Sequence, residues 1–430
     1  MITTPSRRAW LVFAAAAAAY LVAVAHRTAL GVAGVEALDR FGTGASGLAL
    51  LSIAQLTVYA ALQVPAGRLL DRFGPRHVMI AGSLLMALGQ ALMAMCHEYW
   101  PAVIARILIG AGDAPIFITA SRLVAHWFPP RRAPLMIQAV AQLGQLGQLA
   151  AAIPVAWLLH AQGWNTTFFV LAGVGVLAAL AATTVRVPRE HDIDTSDASR
   201  AHPAVTISRS GVWLGFWTHF TALFSANTIA LLWGVPFFIT AQGRSAAEAS
   251  ALLTVLTLAK LAGGPLVGTA TARHPIRRSW LVLGFAGVTA LAWAAVLLPS
   301  TPRPMWQLVA FAAIIGVGGP VSLVGLDYAR TFADHRRLGT ANGIVNTGGF
   351  AATILSIGLV GLVLEIAAPG GSYDLDAYRL AFAALVVPWT VGIIGILRTR
   401  RGARRDWASD GVVVRPVRDV IAERRRSRSS

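Results

Sequence analysis

The sequence predicts an all-α integral membrane protein with twelve transmembrane helices. Hydrophobic residues make up 56% of the 430 residues, charged residues only 13%, and the mean hydropathy is +0.63. A water-soluble domain carries about 25% charged residues, so most of this surface is expected to contact lipid. Apolar runs of the ~20 residues that cross a bilayer recur along the chain, and basic clusters separate them.

The apolar runs define twelve predicted spans, numbered in chain order. They cover 9–35, 46–66, 78–95, 101–124, 133–160, 166–185, 211–240, 248–269, 279–299, 304–328, 340–366 and 377–397.

A polar stretch divides the spans into two groups of six. This stretch, 188–210, is predicted to be a cytosolic linker between an N-terminal bundle (1–187) and a C-terminal bundle (211–397). The remaining residues, 398–430, are predicted to form a basic cytosolic tail. Two bundles of equal size and equal polarity are expected of a parallel internal repeat.

The basic residues predict the orientation. With the N-terminus in the cytosol, 29 of the 36 Lys and Arg residues fall on the cytosolic side, 11 of them after Leu397. Only Arg40, Arg244, Arg303 and Arg379 fall in outer loops. An excess of basic residues in cytosolic loops is the usual pattern, and one missed span would reverse it in every later loop. We therefore predict both termini on the cytosolic side of the cytoplasmic membrane.

Several function classes are disfavoured. The net charge of +17 comes from short arginine clusters between apolar runs, which suits an anionic lipid surface better than nucleic acid. Cys96 stands alone, so neither an intramolecular disulfide nor a cysteine-rich metal site is expected. The sequence contains no P-loop, metalloprotease motif or serine elbow. We therefore expect no enzyme activity, no cofactor, no metal and no nucleic-acid partner.

A motif between spans 2 and 3 carries a family resemblance. The chain reads Gly-Arg-Leu-Leu-Asp-Arg-Phe-Gly-Pro-Arg from Gly67 to Arg76. This resembles the cytoplasmic loop motif of the major facilitator superfamily, G-x-x-x-D-R-x-G-R-[KR], with Pro75 in place of one basic residue. The gating residues that match are Gly67, Asp71, Arg72, Gly74 and Arg76. In span 4, the run Arg106-Ile-Leu-Ile-Gly-Ala-Gly is similar to the superfamily's R-x-x-x-G-x-G pattern.

The resemblance implies a transporter of two six-helix bundles that rock about a central site. It also implies that Asp71 reaches the start of span 11, near Thr340, and latches the bundles on the cytosolic side. A carboxylate there accepts hydrogen bonds from the free N–H groups of a helix start. The repeated segment between spans 8 and 9 has Ala272 where Asp71 stands, so we predict asymmetric gating.

Asp113 is predicted to be the only acidic residue near the middle of the membrane. It lies in span 4, about 18 Å from the outer surface at 1.5 Å per residue, and Arg106 lies seven residues earlier on nearly the same face. A charge at this depth costs at least ~2.5–3.5 kcal/mol, which makes both residues functional candidates. We predict that Asp113 carries a coupling proton; a structural ion pair is the alternative.

Two further cations are substrate candidates. Arg27 in span 1 is about 26 Å from the inner surface, level with Arg106, and resembles the span 1 arginine of the superfamily's organophosphate antiporters. Their second arginine, in span 7, has no match here, so a carboxylate or zwitterion is favoured over a phosphate. Lys260 in span 8 lies close in depth to Asp113 and is predicted to bind an anion or to pair with an acid. Structural pairing or extension of the side chain to the surface is the alternative.

Polar residues supply the remaining candidates. His219 in span 7 titrates near neutrality and is a second candidate proton carrier, or else a hydrogen-bonded core histidine. The resemblance implies that spans 2, 5, 8 and 11 flank the cavity, and we predict ligand contacts from Gln142 and Asn346. Other candidates in these spans are Gln55, Tyr59, Gln63, Gln138, Gln145, Gln148 and Asn342.

The predicted function is secondary active transport of a small polar or anionic organic solute, coupled to protons, by a monomer. Multidrug efflux by proton antiport is one alternative. Against it, span 5 lacks the Gly-Pro signature of such antiporters, and the intramembrane cations suit anions better than cationic drugs. A membrane receptor or scaffold without transport activity is an alternative of another class.

Overall fold

The computed structural model describes residues 6–128, 133–185, 210–273, 277–332, 338–369 and 373–409, and contains no strand in these ranges. Ten of its helices are long and apolar enough to cross a membrane, and the pair Gly34–Phe41 and Ala45–Ala61, bent by 111°, supplies one more. The long helix Ala139–Thr183 breaks at Gly163 into two spans. The predicted all-α membrane fold is confirmed, and these helices account for all twelve predicted spans.

The helices keep the predicted order with shifted ends. Span 1 is formed by Arg7–Val32, span 2 by Ala45–Ala61 and the part of Gln63–Met95 up to Gly74, and span 3 by the rest of that helix. Span 4 is formed by Tyr99–Trp127, span 5 by Ala133–Ala150, Ala151–Val155 and the part of Ala156–Thr183 up to Gly163, and span 6 by the rest of that helix. Spans 7 to 12 are formed by Ser210–Ala241, by Ala246–Arg273, by Arg278–Leu297, by Met305–Gly316 with Gly318–Ser322 and Val324–Phe332, by Leu338–Ala367, and by Leu375–Ala383 with Val386–Ser409.

Two glycines set the sharpest breaks. Gly74 has φ 75° and Gly163 has φ 76°, a region that residues with a Cβ rarely adopt. Gly74 ends span 2, and Pro75 follows as the first residue of the next helix. Proline is well suited to a first helical position, because that N–H has no partner within the helix. The departure of Pro75 from the superfamily motif therefore fits the local backbone.

Among the described residues, the two halves share an apolar cluster towards one face only. We call the face where Arg7 and Ser210 begin their helices the basic face, and the other, which carries the turn at Gly42, the distal face. One large apolar cluster towards the distal face joins both halves, with Leu30 from span 1 and Trp233 from span 7. Nearer the basic face, each half has a separate cluster.

Close helix contacts seal the distal face. A Cβ at Gly31 would lie 2.7 Å from the Leu231 backbone, and a Cβ at Gly361 would lie 2.7 Å from Ala49. Spans 1 and 7, and spans 2 and 11, thus touch backbone to backbone. At the basic face, by contrast, a Cβ at Gly67 or Gly343 would meet none of the described atoms within 4 Å. As far as the described residues extend, the structure is therefore closed at the distal face and open at the basic face.

A polar contact reinforces this seal at the start of span 2. Gly44 caps the helix without a side chain, so the first N–H groups need other partners. The C-terminal half supplies them: Ala45 N donates to Tyr373 Oη at 2.7 Å, and Ser46 N donates to Glu365 Oε2 at 3.4 Å. Tyr373 Oη in turn donates to Glu365 at 3.5 Å.

The arginines predicted in outer loops all lie against backbone carbonyls at the distal face. Arg40 donates to the carbonyls of Ala94 and Cys96, where span 3 ends. Arg379 donates to the carbonyls of Leu297 and Leu298, where span 9 ends. The other two follow the same pattern: Arg244 donates to the Arg303 carbonyl, and Arg303 to the Thr301 carbonyl. Cations at helix C-termini satisfy carbonyls that have no partner within the helix.

The basic tail differs from the prediction at its start. The helix of span 12 continues beyond 397 to Ser409, where Arg400 lies 4.3 Å over the Trp280 ring and Ala403 is buried. Packing against the C-terminal bundle explains why the helix continues into a charged segment. The rest of the tail, 410–430, and nearly all of the predicted linker lie outside the described residues.

The predicted latch also falls outside what the structure describes. The backbone at Asp71 is helical, but its side chain and that of Thr340 are not described. Of the other gating residues, Arg72 and Arg76 are exposed, and the Arg72 guanidinium lies 5.2 Å over the Phe73 ring. The latch between Asp71 and span 11 therefore stays a prediction.

Candidate substrate site

A buried ion pair lies at the centre of the N-terminal half. Arg27 of span 1 donates from Nε to Asp113 Oδ2 at 2.7 Å and from Nη2 to Oδ1 at 2.9 Å. The Asp113 side chain has no exposed surface, whereas that of Arg27 is 14% exposed. Two parallel charge-assisted hydrogen bonds are the strongest arrangement for this pair. A small part of the Arg27 side chain therefore remains exposed.

The sequence placed Arg27 level with Arg106, but the structure pairs it with Asp113. Side chains on a helix lean towards its N-terminus. Arg27 therefore leans towards the basic face, where span 1 begins, whereas Asp113 leans towards the distal face, where span 4 begins. The two side chains meet although their Cα atoms start at different depths, an effect that counting residues along each helix leaves out.

Arg106 lies apart from the carboxylate. Its Nε donates to the Leu51 carbonyl at 3.4 Å, and its Nη1 has no hydrogen-bond partner among the described residues. The residue is 2% exposed, and Asp113 is within electrostatic reach. Asp113 is thus bonded directly to Arg27, and its negative charge also stabilises Arg106 through space.

Aromatic rings surround the Arg27 guanidinium. Its Cζ lies 4.6 Å from the centroid of the Tyr59 ring, and Tyr20 lies within hydrogen-bonding reach. The Tyr59 ring packs 4.9 Å from Phe350 of span 11, in the other half. Neither tyrosine was singled out with Arg27 from the sequence. For Tyr20, the seven-residue spacing to Arg27 on one helix face was an available signal.

Lys260 reaches across from the C-terminal half. Its Nζ donates to Gln148 Oε1 at 3.0 Å and to Gln145 Oε1 at 3.3 Å, both in span 5. The lysine stem packs on Gly319, where a Cβ would come within 2.8 Å of it. Lys260 is 8% exposed, so its side chain does not extend to a membrane surface. No acidic partner of Lys260 is present among the described side chains, and the predicted pairing with an acid is not seen there.

A cavity of about 550 Å³ opens on the basic-face side of Lys260. Gln142 of span 5, Leu261 and Gly264 of span 8, and Pro320 of span 10 are among its lining residues. Leu261 follows Lys260 in the chain, and Gln142 lies one turn before Gln145, so Lys260 lies on the distal side of this cavity. On the distal side, around Thr28 and Gln148, a void of only about 10 Å³ remains. The volume accommodates a small organic solute.

His219 and Asn346 lie together, away from the charged residues. His219 Nδ1 is 3.0 Å from the Ser322 carbonyl, and Asn346 is within hydrogen-bonding reach of the ring. The histidine is 4% exposed and packs against Gly349. Of the predicted site residues, the structure therefore brings together Arg27 with Asp113, and His219 with Asn346. Gln142 lines the cavity, and Arg106 lies behind the Arg27 pair.

The described residues contain no cluster of three or more His, Cys, Asp and Glu side chains that could hold a metal ion. The central site instead combines a cation from each half, Arg27 and Lys260, with the carboxylate Asp113 bonded to Arg27, while Asp327 lines the basic-face end of the cavity. Such a site can bind anions and change its charge by one proton.

Comparison with known proteins places this architecture in a family. The family model described as Major Facilitator Superfamily matches residues 16–245. The chain belongs to the major facilitator superfamily of membrane transporters. The superfamily resemblance of the 67–76 motif is thereby confirmed.

Curated relatives match over most of the chain. The probable sulfoacetate transporter SauU of Cupriavidus necator is 25% identical over 381 residues, which are 83% of this chain and 86% of that protein. The probable galactarate/D-glucarate transporter GarP of Escherichia coli is 23% identical over 79% of this chain and 85% of that protein. The hexuronate transporter of Bacillus subtilis is 22% identical over 84% and 89%.

Solved structures share the two-bundle fold of the superfamily. A bacterial homologue of the human lysosomal transporter Spinster, inward-facing and unoccupied, superposes with a TM-score of 0.75 at 16% identity, over 94% of this chain and 99% of that one. A D-xylose–proton symporter superposes with a TM-score of 0.69 at 14% identity, over 88% and 96%.

Proposed function

We propose that this superfamily member is a proton-coupled transporter of small organic anions that works by alternating access as a monomer in the cytoplasmic membrane. The observation that carries the proposal is the bidentate pair between Arg27 and Asp113. The planar fork of a guanidinium inside a membrane protein is suited to a carboxylate or sulfonate. The basic face is the cytosolic face in this proposal, so both termini are cytosolic.

The pair explains how a proton and an anion are coupled. While Asp113 is ionised, it occupies the Nε and Nη2 groups of Arg27. Protonation removes the negative charge and frees these donors for the anion. Binding of the proton and binding of the anion then favour each other, and such coupling is reciprocal by thermodynamic necessity. The proton and the anion would therefore cross the membrane in the same direction.

The relatives and the charges favour anions over the alternative of cationic drug efflux. Sulfoacetate, galactarate and hexuronates, the compounds in the names of the relatives, are all organic acids. The site itself carries Arg27 and Lys260 within electrostatic reach of each other, an arrangement that repels a cationic drug. The names also favour transport over a receptor or scaffold.

Uptake into proteoliposomes with an imposed pH gradient tests this function. Asp113→Asn mimics the protonated carboxyl group and should abolish gradient-driven accumulation of an organic acid while sparing exchange without a gradient. Arg27→Lys keeps the charge but loses the planar fork, so it should raise the half-saturation concentration about tenfold or more, as expected for one lost charge-assisted hydrogen bond of ~1.5–3 kcal/mol.

A matched carboxylate serves as the control. Asp376 at the distal face has a side chain that is 76% exposed and pairs only with Arg379 of its own helix among the described residues. Asp376→Asn removes the same charge outside the site and should leave accumulation unchanged. If Asp113→Asn accumulates the anion normally, Asp113 is not the proton carrier. His219 would then be the remaining candidate, or proton coupling would be abandoned.

A further inference from the structure

The interior of the membrane-spanning region is unbalanced in charge. Among the described residues, its central part holds the cations Arg27, Arg106 and Lys260 and the carboxylate Asp113, while Asp327 lies at the basic-face end of the cavity. With Asp113 ionised, two positive charges remain without a counter-charge. Unbalanced charges inside a membrane are costly, so a substrate that supplies two negative charges is favoured over one that supplies a single charge.

Lys260 is held in place by neutral groups only. The amide oxygens of Gln145 and Gln148 satisfy two of its three N–H donors but supply no negative charge. The absence of a side chain at Gly319 gives room for the lysine stem on span 10. The ammonium group is thus fixed in position and desolvated, and one of its N–H donors is left to bind an anion.

The two accessible cations belong to different halves. Arg27 stands on span 1, Lys260 on span 8, and each lies within electrostatic reach of the other. Span 5 lies against both of the helices that carry these cations. Its Gly147 packs on span 1 at Leu21 and Ala25, and the next residue, Gln148, accepts a hydrogen bond from Lys260. Two like charges within electrostatic reach repel, and an anion between them offsets that repulsion.

We propose that the substrate is a small dianion with an acidic group at each end, one bound by Arg27 and the other by Lys260. This inference rests on the proposed transport of organic anions and narrows the substrate class. With the coupling proton on Asp113, a dianion leaves one of the three positive charges unbalanced, whereas a monoanion leaves two. Because the dianion joins the two halves, it also stabilises a form in which they close around it.

Pairs of anions that differ by one acidic group test this inference on the purified full-length protein. Galactarate and galactonate share a six-carbon chain with two carboxylates or one, and sulfoacetate and acetate differ by a sulfonate. We expect the dianion of at least one pair to bind about tenfold or more tightly, as measured by thermal shift and by counterflow, consistent with one additional charge-assisted contact. Lys260→Met should weaken the dianion about tenfold or more and the monoanion less than about threefold, while Lys260→Arg retains the preference.

The outcomes separate this inference from the proposed function. Equal binding of both members of each pair by the unmodified protein, or equal weakening of both by Lys260→Met, would overturn the dianion assignment and leave anion transport standing. If no organic anion is bound or transported, the proposed function itself fails. The comparison within each pair needs no variant, so a folding defect in Lys260→Met does not affect it.

Discussion

The contact between Gly361 and Ala49 predicts that a larger side chain will force the distal face open. A Cβ at position 361 would lie 2.7 Å from Ala49 Cβ and 2.9 Å from the Ala45 carbonyl. Carbon atoms pack at about 3.5–4.0 Å, so Gly361→Val requires spans 2 and 11 to separate by about 1 Å. Overpacking of this kind costs about 1–3 kcal/mol.

The overpacking energy of Gly361→Val destabilises only the form that is closed at the distal face, because spans 2 and 11 are apart when that face is open. A difference of about 1–3 kcal/mol between two conformations changes their ratio about 5- to 150-fold. Gly361→Val should therefore raise the population of the distal-open form by a factor in this range. It should also slow transport, since the return to the basic-open form becomes uphill.

Labelling from the distal side measures this population. Ile53 of span 2 packs against span 11 at Gly358, so Ile53→Cys reports the opening to a membrane-impermeant maleimide. Gly287→Val on span 9 is the matched control, because a Cβ there meets none of the described atoms within 4 Å. The assignment of the seal is refuted if Gly361→Val leaves labelling unchanged, or if Gly287→Val raises it equally.

Three other predictions concern the basic face, the tail and the single cysteine. Asp71→Asn should favour opening at the basic face without unfolding the protein; unchanged cysteine accessibility at both faces would remove the latch role. Truncation after Arg405 removes six of the eleven tail arginines, each of which contributes about 1 kcal/mol to binding near anionic lipid. It should therefore weaken retention on anionic vesicles but spare transport. Loss of transport at normal expression would assign the tail another role. Burial raises the pKa of the Cys96 thiol, so maleimide labelling of the native protein should be slow at neutral pH and accelerate as the pH rises; fast labelling of folded protein at neutral pH contradicts this.

Much of the fold could be predicted because it depends on properties that are local in the sequence. Span length and the alternation of basic loops gave the twelve helices and their order. The continuation of span 12 to Ser409 was missed, because it depends on tertiary contacts such as Arg400 over Trp280. The break between spans 5 and 6 was predicted to lie between residues 160 and 166, and the structure places it at Gly163.

The site was harder to predict because its contacts join distant parts of the chain. Depth along each helix identified Arg27, Asp113 and Lys260 as buried charges, yet it did not identify their partners. The Arg27–Asp113 pair depends on how far two side chains lean along opposite helix directions. The link from Lys260 to Gln148 depends on the close approach of the two bundles, for which no local signal exists.

The distal arginines have a consequence for how this protein acquires its orientation. Arg40 and Arg379 each bind carbonyls at the end of a neighbouring span, span 3 and span 9 respectively. These contacts form only after the neighbouring span has been inserted, whereas a basic residue influences insertion as soon as its own segment is synthesised. In the proposed orientation, Arg40 is therefore translocated against the usual charge preference before span 3 has been synthesised to offset the cost, whereas span 9 precedes Arg379 in the chain. Because far more arginines lie at the opposite face, the overall charge difference still favours the same orientation of the nascent chain.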